Sequence, residues 1–257
     1  MTTRDAPKRR VKTSDTVFEI IESLQQMDGA TLAELAQELD FAKSTLHSHL
    51  ATLKDKEYIV KRNGEYTLSL KFLHHGMFAK NHHEISRVGQ PVIENLANET
   101  GEVAWILVEE HGRAVYLNKA MGENAIQTHA SVGGRAYLHH LATGKAIMAY
   151  LPEERVEEII GRHGLPSLTP NTLTDLDDLR DEFEQIREEG VALNDRETVK
   201  GLRAIGAPVL DDVTIRGAVC VSGPANRLTI NRCYDEIKPL LLEAANEIEL
   251  KLQYPPI

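Results

Sequence analysis

Between residues 43 and 54 the chain sets short polar and basic side chains among leucines. Lys43, Ser44, Thr45, His47 and Ser48 fall between Leu46, Leu50 and Leu53, the apolar positions keeping helical spacing. Hydroxyls, an imidazole and an ammonium on the outer face of a helix can hydrogen-bond base edges and phosphates. A helix that only solvates itself is usually richer in Glu and Gln. Lys61 and Arg62 add two cations just before Asn63-Gly64, a pair that favours a tight hairpin turn. These seven residues form a candidate DNA-reading set.

A second group of chemically capable residues lies in the C-terminal half. Gly144-Lys145 sits within a small-residue helix, where a close backbone approach can form the floor of a pocket. This is not a phosphate-binding Walker loop, because the glycine spacing and the following Ser/Thr are missing. Asp195, Arg196 and Glu197 form a charged turn before an apolar strand. Cys220 and Ser222 alternate on a later strand and so share one side, which is either core or pocket wall. Histidines come in pairs, His74-His75, His82-His83 and His139-His140, but no HExxH or CxxC frame accompanies them, so no metal site is read. No G-x-S-x-G elbow surrounds Ser222, and no catalytic set or cofactor motif is found.

The elements that must hold the first group are legible. Val17, Ile20, Ile21, Leu24 and Met27 make residues 15–27 an amphipathic helix. Thr31 followed by Glu34 is a capping-box start, and Leu32, Leu35, Ala36 and Leu39 follow on one face. Residues 58–70 read as a hairpin turning at Asn63-Gly64. Helix, helix–turn–helix and a basic-tipped hairpin together make a winged helix over residues 14–70. Residues 1–13 read as a disordered basic arm with Lys8, Arg9, Arg10 and Lys12. Leu70, Leu73, Met77 and Phe78 give residues 71–86 one apolar face, that of a linker helix suited to pairing with a second chain.

From residue 87 to 257 helices and strand pairs alternate. Helices are expected over 88–100, 138–150, 153–161, 175–189 and 231–252. Strand pairs are expected at 102–109 with 113–119, turning at His111-Gly112, and at 202–210 with 215–222, turning at Asp211-Asp212. The class is α+β with an antiparallel sheet.

Composition bounds the function. The chain of 257 residues has room for two domains. No apolar run approaches membrane-spanning length, and the charged N-terminus lacks the apolar core of a secretory signal. Two cysteines, Cys220 and Cys233, fit a reducing cytoplasm. The net charge of −10 is unevenly spread: residues 1–70 hold 10 Lys+Arg against 11 Asp+Glu, and the remainder 19 against 28. DNA binding needs a local basic patch, which Lys43, Lys54, Lys56, Lys61 and Arg62 supply. The acidic surplus suits a salt-rich cytoplasm.

Over residues 14–252 the chain resembles the isocitrate lyase regulator (IclR) family of transcriptional regulators. The resemblance rests on FAKSTLHSHLATL in the winged helix, then VGGRAYLHHLATGKAIMAYL (132–151), LPSLTPNTLTD (165–175), GVALNDRETVKGLRAIGAPVLD (190–211) and AVCVSGPANRLT (218–229). It implies a GAF-like effector-binding domain, a homo-oligomer (a dimer or dimer of dimers) and a palindromic double-stranded DNA operator. It carries the effector pocket onto Ala142, Thr143, Ala204, Cys220 and Ser222, with Asn194 or Asp195 at its mouth and Trp105 nearby. Family effectors are commonly small carboxylates: 2-oxo acids, sugar acids or aromatic acids. The family often has serine at the position of Cys220, an acidic group at that of Asn194 and arginine at that of Ser48.

The function expected is therefore a cytoplasmic regulator of a catabolic operon, controlled by a small carboxylate, with no membrane partner and no cofactor. Two other classes stand beside it. One is an enzyme whose winged helix serves as an interaction module. The other is a metal or redox sensor using the histidines with Cys220 or Cys233.

Overall fold

The computed structural model describes residues 11–127 and 130–254, which divide into two units, one ending at Ala79 and one starting at Lys80. The first unit begins with α1 (Lys12–Gln26), β1 (Ala30–Thr31) and α2 (Leu32–Glu38). The expected capping box is formed: Thr31 Oγ1 accepts from the Glu34 amide at 3.3 Å, and Glu34 Oε2 accepts from the Thr31 amide at 2.7 Å. Then come α3 (Lys43–Asp55), β2 (Ile59–Arg62) and β3 (Glu65–Leu68), with antiparallel strand order β1-β3-β2. Asn63 and Gly64 both take positive φ, and the hairpin turns there. Ile20, Leu24, Leu35, Leu46, Leu50, Leu53 and Ile59 close one core, so the helical stripes meet as their spacing requires.

Two expectations are corrected at the ends of this unit. The part of the basic arm over residues 1–10 lies outside the described residues, whereas Lys12 and Thr13 already belong to α1. The linker helix expected over 71–86 is α4 (Lys71–Asn81), and it stops early because His83 has extended backbone and caps the next helix. No residue of α4 is buried, and Leu73, Met77 and Phe78 stand exposed.

In the second unit α5 (Glu84–Thr100) ends at Gly101, and β4 (Val103–Glu110) and β5 (Arg113–Met121) turn at His111-Gly112 as expected. There follow β6 (Arg135–Ala136), α6 (Ala142–Met148), α7 (Glu153–His163), α8 (Leu176–Glu189) and β7 (Ala192–Asp195). The long strands β8 (Leu202–Asp211) and β9 (Thr214–Pro224) precede α9 (Ile230–Arg232), a π turn over Cys233–Ile237 and α10 (Lys238–Gln253). The sheet is antiparallel throughout, in the order β6-β5-β4-β9-β8-β7.

Both sheet faces are covered, which explains why its strands read as nearly continuous apolar runs. Ala104, Ile106, Val219 and Val221 face α5 and α10, in one core. Trp105, Leu107, Ala218 and Cys220 face α6, α7 and α8, in another. The period of two thus settles which side Cys220 takes: the α6 side. Among the described residues no helix is long and apolar enough to cross a membrane.

The helix expected over 138–150 shortens to α6 because Leu141 is extended, and the segment before it folds back over the helix. At Gly144 a Cβ would lie 2.0 Å from the Leu138 carbonyl oxygen. Gly144→Ala therefore forces backbone apart, and we expect it to cost about 1–3 kcal/mol in denaturant unfolding. An unchanged midpoint would show that the 138–141 segment is not held against α6.

Candidate functional site

The DNA-reading candidates lie where their spacing places them. Lys43, Ser44, Thr45, His47 and Ser48 are exposed on α3, opposite the buried Leu46, Leu50 and Leu53. The first turn of α3 contains Lys43 and no acidic residue, and Ala42 provides no side-chain cap, so the positive end of the helix stays open to an anion. Ser48 Oγ donates to the Ser44 carbonyl at 3.1 Å. At the hairpin Lys61 and Arg62 are both exposed. Lys61 Nζ donates to Tyr66 Oη at 3.0 Å and lies 4.6 Å from the Tyr66 ring centroid, so part of its hydrogen-bonding capacity is already used.

The pocket candidates converge on the sheet face beneath α6. Asn194, Ala204, Ser222 and Val103 form one row across β7, β8, β9 and β4. Ala192, Gly206, Cys220 and Trp105 form the next row on the same face. Above them lie Ala142 and Thr143, both 2% exposed. A Cβ on Gly206 would come within 2.9 Å of the Thr143 amide nitrogen, so the missing side chain lets α6 rest on the sheet. Trp105 meets Tyr116 edge-on at 4.9 Å.

Asn194 is committed to structure: its Nδ2 donates to the His140 carbonyl at 2.6 Å and to Thr198 Oγ1 at 2.8 Å, and its Oδ1 accepts from the Glu197 amide. Asp195, one residue on, is separated from the group. Its carboxylate takes Arg203 and Arg196, which hold it below the usual carboxylate range, Arg196 contributing most. Burial pushes the Cys220 thiol up to about 12, so it stays protonated and is a poor nucleophile.

The strongest electrostatic feature was not read from sequence. Lys145 is 1% exposed, and its Nζ donates to Glu182 Oε1 at 2.7 Å and Glu197 Oε1 at 2.8 Å. Burial raises the Glu197 carboxyl while the Lys145 charge opposes the rise. A lysine set inside an otherwise apolar helix, ATGKAIM, was the available signal: such a residue is buried only with a partner. Lys145, Glu182, Asp195 and Glu197 line a cavity of about 460 Å³ beside β7. His139 and His140 are each 2% exposed. Burial, with the His139 charge second, lowers His140 to about 4. Among the described residues no group of three or more His, Cys, Asp or Glu is placed to hold a metal ion.

Comparison with known proteins decides the family. Residues 15–62 match the IclR helix-turn-helix domain, and residues 77–250 match the bacterial transcriptional regulator IclR C-terminal domain. This chain belongs to the IclR family. It is 36% identical over 255 residues to a probable HTH-type transcriptional regulator, ArcR, of Halobacterium salinarum, with 95% of each chain covered. It superposes on the crystal structure of the Thermotoga maritima IclR with a TM-score of 0.80 at 26% identity, covering 95% of this chain and all of that one. It also matches the inducer-binding domain of the PobR transcription factor from Acinetobacter, solved with 3-hydroxybenzoic acid (TM-score 0.58, 27% identity, 63% and 96% covered).

This IclR-family chain is thus a DNA-binding transcriptional regulator with an effector-binding domain, and not an enzyme. Of the seven effector-pocket candidates the structure groups six, Ala142, Thr143, Asn194, Ala204, Cys220 and Ser222, and parts Asp195 from them.

The buried histidine gives a pH dependence. The unfolded chain protonates His140 near its ordinary value of 6.5, the folded chain only near 4. The unfolded state therefore binds more protons between these values, and stability falls as pH drops through them. We expect the protein to lose about 1–3 kcal/mol from pH 6.5 to 4, and His140→Gln to flatten that slope in denaturant titrations. Parallel slopes for the two proteins would place the acid sensitivity elsewhere.

Proposed function

We propose that this regulator binds a palindromic operator as a dimer or dimer of dimers, releases or engages it in response to a small carboxylate, and controls a catabolic operon in the cytoplasm. The observation that carries the ligand side is the grouping of small and polar side chains between α6 and the sheet: Ala142 and Thr143 on the helix, Ala204, Cys220 and Ser222 on the strands. Hydroxyl and thiol groups there are suited to fix a carboxylate, and α6 lifts from the sheet to admit its carbon skeleton. The PobR domain bound to 3-hydroxybenzoic acid supports a carboxylate in particular. The Ser222 hydroxyl orients the ligand, and Asn194 fixes the pocket edge through His140 and Thr198 rather than touching the ligand first.

On the DNA side Lys43, Ser44, Thr45, His47 and Ser48 enter the major groove, while Lys61 and Arg62 meet the backbone at the hairpin. Arg62 carries the larger share there, because Lys61 is engaged with Tyr66. The exposed Leu70, Leu73 and Met77 offer an apolar surface to a second copy. The ligand acts by differential affinity for two arrangements of the regulator.

Fluorescence anisotropy with an operator fragment tests this reading. Binding should weaken steeply with salt, by roughly 0.9 log unit per log unit of salt for each phosphate contact. Lys43→Ala should cost about 1–3 kcal/mol if the lysine reads a base edge. Ser222→Ala should leave operator affinity intact while abolishing the response to 2-oxo acids, sugar acids or hydroxybenzoates. A salt-insensitive interaction would contradict the DNA reading, and an undiminished carboxylate response in Ser222→Ala would contradict the pocket.

A further inference from the structure

None of the six grouped candidates lines the 460 Å³ cavity, although α6 and α8, which cover their sheet face, also border it. It opens beside β7, the edge strand of the sheet, and Leu173, Ile186, Val191, Leu193 and Tyr234 form much of its wall. Its deepest members are Lys145 and Glu197, 1% and 6% exposed. Two carboxylates there face one ammonium, because Glu182 and Glu197 share Lys145. Glu197 Oε1 also accepts from the Asp195 amide, but Glu197 Oε2 is buried with no hydrogen-bond partner. A buried acceptor left unmade is costly, so Glu197 is the under-satisfied member of the cluster.

The same chemistry is satisfied internally at the cavity's other acids. The Lys238 ammonium lies 3.5 Å from Glu189 and 5.5 Å from the Tyr234 ring centroid. Asp195 has Arg196 and Arg203. The uncompensated negative charge is therefore on the Glu182–Lys145–Glu197 floor.

We propose that this cavity is a second ligand site, for a small alkylammonium ion. Its ammonium group donates to the partly exposed Glu182 carboxylate, the Glu197 side chain turning Oε2 out of its buried position to complete the contact, and its hydrocarbon tail lies along Leu173, Ile186 and Leu193. A carboxylate is repelled by the floor, and a neutral apolar molecule leaves Glu197 Oε2 unmade. Burial raises the Glu197 carboxyl, and a bound ammonium opposes that by adding a second cation beside it. Lys145 and Thr143 share α6, and Glu197 follows Asn194 by three residues, so an occupant acts on the elements that frame the Ser222 face. The site stands independently of the carboxylate proposed for that face.

Methyl NMR of the full-length chain tests it, with n-butylammonium chloride as probe and n-butanol and sodium butyrate as controls at constant ionic strength. Butylammonium should give saturable shifts confined to the methyls of Leu173, Ile186, Val191 and Leu193, at least about tenfold tighter than either control. Leu193→Trp, which fills the cavity without touching the ionic floor, should remove that binding while leaving the Ile93 and Val221 methyls in place. Should that variant fail to fold, Glu182→Gln should weaken binding about tenfold. Equal binding of butanol would reduce the cavity to an apolar cleft. Tighter binding of butyrate, unsaturable shifts spread over the acidic surface, or full binding in the variants would each overturn the proposal.

Discussion

The buried ammonium of Lys145 is the interaction on which the second unit depends. An unpaired charge at that depth would cost several kcal/mol, so Lys145 is tolerable only with its carboxylates in place. Those carboxylates come from two separate parts of the chain, Glu182 on α8 and Glu197 between β7 and β8. One ion cluster thereby fastens α6 to α8 and to the segment that follows Asn194. Removing Lys145 would leave the Glu197 carboxylate buried without its cation. The position of α6 over the sheet, and with it the shape of the Ser222 face, follows from this constraint together with the bare backbone at Gly206.

The sheet translates that position into a site. Its period of two brings Asn194, Ala204 and Ser222 into one row although they are far apart in sequence. The same period sends Asp195 to the other side, where arginines and the cavity beside β7 receive it. One strand therefore serves two sides of different chemistry, one gathering small and polar side chains and one pairing Asp195 with arginines. The division of charge along the chain has a parallel logic: the acidic surplus lies outside residues 1–70, which keep a nearly even balance and set Lys43 and Lys54 on α3 and Lys61 and Arg62 on the hairpin.

The sequence made local chemistry legible. Thr31 and Glu34 announced α2, Asn63-Gly64 and His111-Gly112 announced hairpins, and the leucine spacing of α3 separated its exposed polar set from its core. Non-local chemistry was harder to see. Strand β7 (Ala192–Asp195) is hidden in sequence because Asp195, Arg196 and Glu197 together read as a charged turn, which masks the alternation that parts Asn194 from Asp195. The helix expected over 138–150 began too early because Leu138 and Leu141 keep helical spacing while extended backbone at Leu141 breaks the helix. The closing helix expected over 231–252 is interrupted by the π turn at Cys233–Ile237, which no spacing rule reveals. The Lys145 cluster joins residues 37 and 52 positions apart, a pairing that only the fold creates.

We propose above all that this IclR-family regulator reads a defined DNA sequence as a symmetric assembly. The most direct measurement is a genome-wide map of the DNA it occupies in its own cells, compared between carbon sources. The account predicts a small number of sharp, palindromic sites beside the promoters of a catabolic operon, with occupancy that changes when a carboxylate intermediate of that operon accumulates. Binding spread without sequence preference under every carbon source would contradict it.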